Sequence, residues 1–155
     1  MSYHIAQINI AAMVAPLDSP VMHDFVANLD RINAHADSAS GFVWRLQGDG
    51  NDATSLRPYE DERIIVNMSV WESIDSLFKY AYYSDHTEIY RRRAEWFAKM
   101  TTPSLALWWI EAGHIPTVAE AKEKLALIEQ HGSTPLAFTF KQQFSADEMI
   151  AVQVG

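Results

Sequence analysis

The residues best suited to chemistry lie in Ile64–Arg93, a stretch that reads IIVNMSVWESIDSLFKYAYYSDHTEIYRRR. Its only histidine, His86, follows Ser84 and Asp85, which are residue types that favour a helix start. The positive end of the helix dipole disfavours a protonated imidazole, so we predict a neutral ring. A neutral imidazole can act as a general base or ligate a metal or haem iron. The alternative is structural: His86 caps the helix or bonds a backbone carbonyl.

The helix predicted after His86 places further side chains in line with it. His86, Tyr90, Arg93 and Phe97 follow one another at helical spacing and form one stripe. Arg93 is therefore expected to face inward with aromatic side chains. Its guanidinium could hold a carboxylate or a propionate through two parallel hydrogen bonds. A structural salt bridge to one of the many acidic residues is the alternative.

The strand that precedes the histidine has two chemically different faces. Alternation sends Val66, Met68 and their apolar neighbours to one side, and Asn67, Ser69 and Trp71 to the other. Two small polar groups beside an indole are typical of the wall of a small-molecule cavity. In the alternative interpretation of Trp71, the indole fills the corner between strand and helix.

The same alternation in the first predicted strand adds two amides to that second face. Gln7 and Asn9 share one side of the strand, whereas Ala6, Ile8 and Ile10 share the other. A short strand further along contributes either Trp44 or Arg45, depending on its register.

Composition and charge exclude several classes of function. The net charge of −8 disfavours nucleic acid and anionic membrane surfaces as partners. The chain has no cysteine, and its histidines show no metal-ligand spacing, so we expect no dedicated metal site. No stretch approaches the ~18 consecutive apolar residues of a membrane span. The start lacks a signal-peptide pattern, so a cytoplasmic protein is expected.

Hydrophobic periodicity predicts alternating strands and helices. The pattern predicts a loop over Gly48–Asp61. Thr117 and Glu120 form a capping box at the start of the last predicted helix. The predicted strands are Tyr3–Ala11, Gly41–Gln47, Arg63–Trp71 and Ser104–Ile110, with a short edge strand at Leu136–Lys141, and the helices are Pro20–Asp37, a short one from Ser73, Ser84–Met100 and Thr117–Gly132.

This order predicts one α+β domain over residues 1–155, with an extra C-terminal helix at Thr117–Gly132 and a tail at Gln142–Gly155 that docks on the domain or across a subunit boundary. A βαββαβ core gives an antiparallel sheet with its helices on one face. If a second subunit covers the polar face of that sheet, a semi-polar cavity remains there.

Several motifs carry a family resemblance, and together they span nearly the whole chain. The chain resembles the dimeric α/β-barrel superfamily, which includes the antibiotic-biosynthesis and haem-degrading monooxygenases. More closely, it resembles the family called domain of unknown function 3291. The motifs are Ala6–Asn9, Phe25–Asn33, Gly41–Leu46, Asn67–Ser73, His86 with Arg93, Trp96 and Phe97, Leu107–Ile110, Gly113–Pro116 and Glu120–Lys122.

The resemblance implies a ferredoxin-like fold and a homodimer whose sheets face each other. The resemblance supplies no established activity. The leading expectation is a monooxygenase-like oxidoreductase that acts on a small, mostly apolar or aromatic molecule and needs no cofactor or uses haem, with His86 as the base or as the haem ligand. A non-catalytic dimer that binds a small molecule or haem is the alternative, and a polar face that is only an interface is a third. The implied catalytic residues are His86, Asn67 and Trp71, and the implied substrate-binding residues are Gln7, Asn9, Trp44, Ser69, Tyr90 and Arg93.

Overall fold

The computed structural model describes residues 2–48, 54, 59–82 and 91–154. Both His86 and Tyr90 lie outside the described residues. A short 3-10 turn at Pro20–Met22 leads into the first helix. The elements are β1 (Tyr3–Met13), α1 (His23–Asp37), β2 (Phe42–Arg45), β3 (Ile64–Trp71), α2 (Ile74–Tyr82), α3 (Arg93–Trp96), β4 (Phe97–Ala98), β5 (Leu105–Glu111), α4 (Val118–His131) and α5 (Ala146–Val154).

The strands form one five-stranded antiparallel sheet with β1 at its centre. β1 pairs with β3 on one side, and β2 pairs with the far edge of β3. On the other side β1 pairs with β5, and its last residues pair with the short β4. The α+β class and the antiparallel sheet are therefore as predicted.

The apolar face of the sheet is covered by α4. Ala121 and Leu125 of this helix are buried against the strands, in one cluster with the even-numbered residues of β1. Because these positions recur along one side of α4, the helix buries its apolar stripe on the sheet. The strand residues of this cluster are Ala6, Ile8, Ile10, Val66, Met68, Val70, Ala106, Trp108 and Ile110.

The opposite face of the sheet is covered by α1 and α2. Tyr80 of α2 stacks on Trp71 of β3, and its hydroxyl donates to the Ile32 carbonyl of α1 at 3.1 Å. Phe25 of α1 packs against Met13 at the end of β1. Helices therefore lie on both faces, and the prediction of helices on one face is wrong. The side chains of the other face are apolar and are stabilised when they are removed from water, and α4 provides this cover.

The segment after α4 packs on its own chain and closes the free edge of β5. Phe138 and Leu107 exchange two backbone hydrogen bonds, of 2.8 and 2.9 Å. The Trp109 indole donates to the Phe144 carbonyl at 2.8 Å, and Met149 of α5 is buried. The predicted strand at Leu136–Lys141 is reduced to isolated bridges, and α5 was not predicted.

The helix predicted to reach Met100 ends at Trp96. Phe97 has an extended backbone and pairs with Met13, while its ring contacts Phe25 edge to face at 5.1 Å. Pairing with β1 thus overrides the helical periodicity. Within the described part of the chain, the helices are too short or too polar to cross a bilayer.

Glu120 fastens the start of α4 to the sheet. Its backbone N–H donates to Thr117 Oγ1 at 3.1 Å, so Thr117 caps the helix as predicted. Its carboxylate accepts from Trp108 Nε1 at 2.8 Å and lies 2.8 Å from His114 Nε2. Burial alone would raise the pKa of Glu120, but hydrogen bonds from His114 and Trp108 outweigh burial and lower it overall.

A first prediction concerns Gly41, which has a φ of +83° and lies against α2. A Cβ at this position would meet the Ser76 Oγ and lie 2.6 Å from the Ser76 Cβ. Ser76 also donates its N–H to Ser73 Oγ, the cap of α2, so it cannot move freely. We expect Gly41→Ala to lower the free energy of unfolding by about 2–4 kcal/mol, measured by urea denaturation.

The matched control is Gly113→Ala. Gly113 also has a positive φ, of +97°, but nothing lies within 4 Å of its added Cβ. This variant should lose only the backbone term of about 1 kcal/mol. Equal losses in both variants would contradict the steric role of Ser76.

A second prediction concerns the pH dependence of stability. Because the folded-state pKa of Glu120 lies below its ordinary value of 4.5, the stabilisation is present above that value and lost as pH falls through the folded pKa. Between pH 6 and pH 3, the wild type should lose more stability than Glu120→Gln, by less than about 1 kcal/mol because the group is partly exposed. Thermal melts over this range measure the difference, and the exposed Glu123→Gln should follow the wild type.

Candidate functional site

The polar strand residues come together on the face covered by α1 and α2. In the register of β1 and β3, Gln7 is opposite Ser69 and Asn9 is opposite Asn67. β2 adds Arg45, which is also opposite Ser69. We call this set the semi-polar face, and its members are Gln7, Asn9, Arg45, Asn67, Ser69 and Trp71.

A hydrogen-bonded network joins four of these side chains. Gln7 Nε2 donates to Asn67 Oδ1 at 2.7 Å and to Ser69 Oγ at 2.8 Å. Trp71 Nε1 also donates to Ser69 Oγ, at 2.8 Å. Buried polar groups need such partners, and this network fixes the position of each side chain on the strands.

The face is closed at one end and open in its middle. Gln7, Ser69 and Trp71 are 6%, 8% and 1% exposed. Asn9 and Asn67, one residue pair further along the two central strands, are both exposed. Leu105 of β5 is opposite Asn9 and is half-buried. The result is a solvent-exposed stretch of the face, which we call the opening, where two neighbouring amides lie beside an apolar side chain.

Trp71 is held on both sides by other rings. Tyr80 stacks on it with ring centroids 5.1 Å apart, and Phe42 meets it edge to face at 5.4 Å. Its indole N–H is already engaged by Ser69. In this arrangement Trp71 holds Ser69 in place in the network. Its predicted catalytic role stays a prediction. Burial raises the pKa of Tyr80, so its hydroxyl stays protonated.

The register of β2 settles the choice between Trp44 and Arg45. Trp44 is opposite Val70 and packs with the cluster under α4. We expected Trp44 to bind substrate, but it does not lie on the semi-polar face. Arg45 lies there instead, 6% exposed, and donates from Nε to Asp37 Oδ1 at 2.7 Å. Arg45 takes this place instead of Trp44 because the register shifts between Phe42 and Trp44. Strand alternation alone cannot reveal such a shift.

Arg93 does not face inward as expected. It begins α3 and is exposed, and Phe97 belongs to β4 rather than to a helix. The proposed stripe therefore does not continue along one helix from residue 93 to residue 97. Whether His86 and Tyr90 meet the semi-polar face is a question that lies outside the described residues.

A separate cavity of about 640 Å³ lies at the start of α1, and none of the predicted site residues that the structure describes lines it. Arg92 contributes to its wall, donating to Asp24 and Glu95 at 2.8 Å and lying over the Trp96 ring. These bonds to Arg92 lower the pKa of both carboxyl groups. In the described ranges, no three histidine or acidic side chains are grouped so that they could hold a metal ion.

The chemistry that the semi-polar face offers is hydrogen bonding by neutral groups. Its strand residues supply three amides, one hydroxyl and one indole, and its only formal charge is on Arg45, which is paired with Asp37. Such a surface can hold a polar atom of a ligand and can stabilise a negative charge that develops on it. A proton acceptor for catalysis has to come from outside the strand residues described above.

Comparison with solved structures finds distant similarity of fold. The chain is 16% identical to Rv0793 from Mycobacterium tuberculosis, over 74% of this chain and 99% of that chain, with a TM-score of 0.47. It is 12% identical to PA3566 from Pseudomonas aeruginosa, over 74% and 98% of the two chains, with a TM-score of 0.47. The protein of unknown function NE2512 from Nitrosomonas europaea is 12% identical over 74% and 96%, with a TM-score of 0.43.

A search of curated proteins finds no match to this chain. One family model, however, matches residues 4–153, which include every strand of the sheet except the first residue of β1. The protein therefore belongs to the family described as Domain of unknown function (DUF3291).

Proposed function

We propose that the semi-polar face binds a small, mostly apolar or aromatic molecule between the sheet and its helices, and that the chemistry there is oxidative. The observation that supports this proposal is the pair Asn9 and Asn67. These two side chains are exposed on the two central strands, whereas Gln7 and Ser69, next to them on the same face, are buried. Two exposed amides next to buried, hydrogen-bonded neighbours can offer a ligand both donors and acceptors, which is what a binding site for a small molecule supplies.

The network beneath the opening fits this use. Asn67 Oδ1 accepts from Gln7, and Gln7 is itself held by Ser69, so the Asn67 amide is fixed before a ligand arrives. A binding group that is already oriented loses little freedom on binding. The aromatic rings around Trp71 keep water from this end of the face. Asn67 itself is exposed, so the ligand has to cover it before water is excluded and its hydrogen bond to a developing charge is strengthened.

The proposed reaction begins with proton removal from an acidic C–H or O–H group of the substrate. His86 takes the proton, and an Asn67 N–H holds the resulting oxyanion. The electrons of the anion then reduce dioxygen. No added reductant is needed: when a CH₂ group becomes C=O, one oxygen atom enters the substrate and the other leaves as water, and when a quinol becomes a quinone, dioxygen takes up its two electrons and two protons as hydrogen peroxide.

The alternative to oxidation without a cofactor is oxidation with haem. The described residues of the semi-polar face do not include a ligand for haem iron. The semi-polar face supplies amides, a hydroxyl, an indole and a guanidinium paired with Asp37, none of which is an axial haem ligand. A haem site would depend on His86, which lies outside the described residues. We therefore derive no step through haem.

We also propose the ferredoxin-like βαββαβ arrangement and a homodimer. The strand order β2–β3–β1–β5 supports the first. For the second, α4 already covers the apolar face, so we expect a partner subunit to contact helices and loops rather than a bare sheet.

A second candidate function is ligand binding without catalysis. The observation in its favour is that no strand residue of the semi-polar face is a general base: its amides, hydroxyl and indole do not titrate near neutral pH. The face alone can therefore hold a ligand without transforming it.

Replacement of His86 separates these two functions. We expect His86→Ala to lower the rate of oxygen consumption with an electron-rich quinol by about 10²–10⁴-fold, because a general base is lost. The affinity for the quinol should change little, because the amides that bind it remain. An oxygen electrode measures the rate, and calorimetric titration under nitrogen measures the affinity.

His114→Ala is the matched control, because His114 contacts Glu120 on the other side of the sheet. This variant should keep the wild-type rate. If wild type and His86→Ala bind the quinol equally and neither consumes oxygen, the protein binds without catalysis. A Soret absorption band that forms when haemin is added to the wild type, and is absent in His86→Ala, would contradict cofactor-free oxidation and would indicate a haem site at His86.

A further inference from the structure

The contact between Gln7 and Asn67 leaves a defined pair of polar atoms facing the opening. Each primary amide carries one carbonyl oxygen and one NH₂ group. Gln7 gives both hydrogens of its Nε2, one to Asn67 Oδ1 and one to Ser69 Oγ. What remains is the acceptor Gln7 Oε1 and the donor Asn67 Nδ2. No described side chain or backbone group bonds either of them.

The two remaining atoms can be reached from solvent. Asn67 is exposed. Among the described side chains, the only fully enclosed nitrogen or oxygen atom without a partner is His4 Nδ1, so Gln7 Oε1 keeps some accessible surface. Gln7 as a whole is only 6% exposed, so this surface is small, and Gln7 contacts the exposed Asn67 directly.

The remaining pair has the same character whichever way round the amides are oriented. A hydrogen bond between two amides always uses a nitrogen of one and an oxygen of the other. If both groups are rotated by 180°, Gln7 presents NH₂ and Asn67 presents the carbonyl. In either orientation, the two contacting amides leave one donor and one acceptor without a protein partner.

We infer that the ligand of the semi-polar face carries a hydrogen-bond donor next to an acceptor on one planar edge, as a lactam ring does. The inference rests on the proposed function and names the ligand class for the same site. The ligand N–H pairs with one amide and the ligand C=O with the other, while its ring lies beside the half-buried Leu105.

Other ligand classes fit this edge less well. A carboxylate presents two acceptors, so one of its oxygens would oppose the amide carbonyl. An ammonium group presents only donors and would oppose the NH₂ group. Leaving a polar group of the site without its partner is what makes such mismatches costly. The paired amides therefore select against both kinds of charged group.

Calorimetric titration of the full chain with three bicyclic probes tests the inference. 2-Quinolone has the donor beside the acceptor, 1-methyl-2-quinolone lacks the donor, and 2-naphthoate presents two acceptors. We expect 2-quinolone to bind about tenfold more tightly than either of the others, as expected for one lost or mismatched hydrogen bond. The side-chain NH₂ signals of Asn67 in a ¹H–¹⁵N NMR spectrum should shift on binding.

Asn67→Asp replaces the donor by a second acceptor and should abolish the preference for 2-quinolone. Its fold should survive because Asn67 is exposed, and the thermal midpoint checks this. Gln130→Glu makes the same chemical change at an exposed position of α4, beyond the other face of the sheet, and should keep the preference.

The outcomes separate this inference from the function on which it rests. If all three probes shift the Asn67 signals and bind equally, the site binds small molecules and the donor–acceptor inference is overturned. A preference for 2-quinolone that persists in Asn67→Asp overturns it as well. If no probe binds to the folded protein or shifts those signals, both the inference and small-molecule binding at this face are overturned.

Discussion

The structure depends on one constraint: β1, at the centre of the sheet, carries buried apolar residues on both of its faces, so both faces must be covered. Its residues alternate between an apolar set, which packs under α4, and a mixed set, which lies under α1 and α2. The apolar set needs only a matching helix stripe. The mixed set contains Gln7, which needs partners of its own, and these come from β3. The fold and the candidate site are therefore two consequences of the same strand.

Much of the fold follows from local patterns in the sequence. Alternation assigns the two faces of β3 correctly, and the Thr117 cap lies where its motif predicts. The errors occur where distant contacts decide. Trp96 ends a helix because Phe97 pairs with Met13, more than 80 residues earlier in the chain. The face that α4 covers cannot be derived from its own periodicity, because a helix with one apolar stripe fits either side of a sheet.

The sequence predicts which residues belong to the candidate site better than it predicts the hydrogen bonds between them. Alternation brings Gln7, Asn67, Ser69 and Trp71 to one face, as the structure confirms. Which atoms bond which is beyond any pattern, since Gln7 and its partners are about 60 residues apart. Trp71 is an example. A tryptophan on this face suggests a contact with a ligand, but its indole N–H donates to Ser69 in the structure. Arg45 replaces Trp44 through a shift of one strand position that only the pairing of β2 reveals.

The central position of β1 also has a consequence for synthesis on the ribosome. The first strand of the chain cannot complete its pairing until β5 has emerged, nor bury its apolar residues until α4 follows about 110 residues later. At ~5–20 residues per second, that interval lasts roughly 5–20 s. During this time Ala6, Ile8 and Ile10 have no native cover. Contacts of such long range slow folding, so the nascent chain is exposed to aggregation for longer than a chain of local contacts would be.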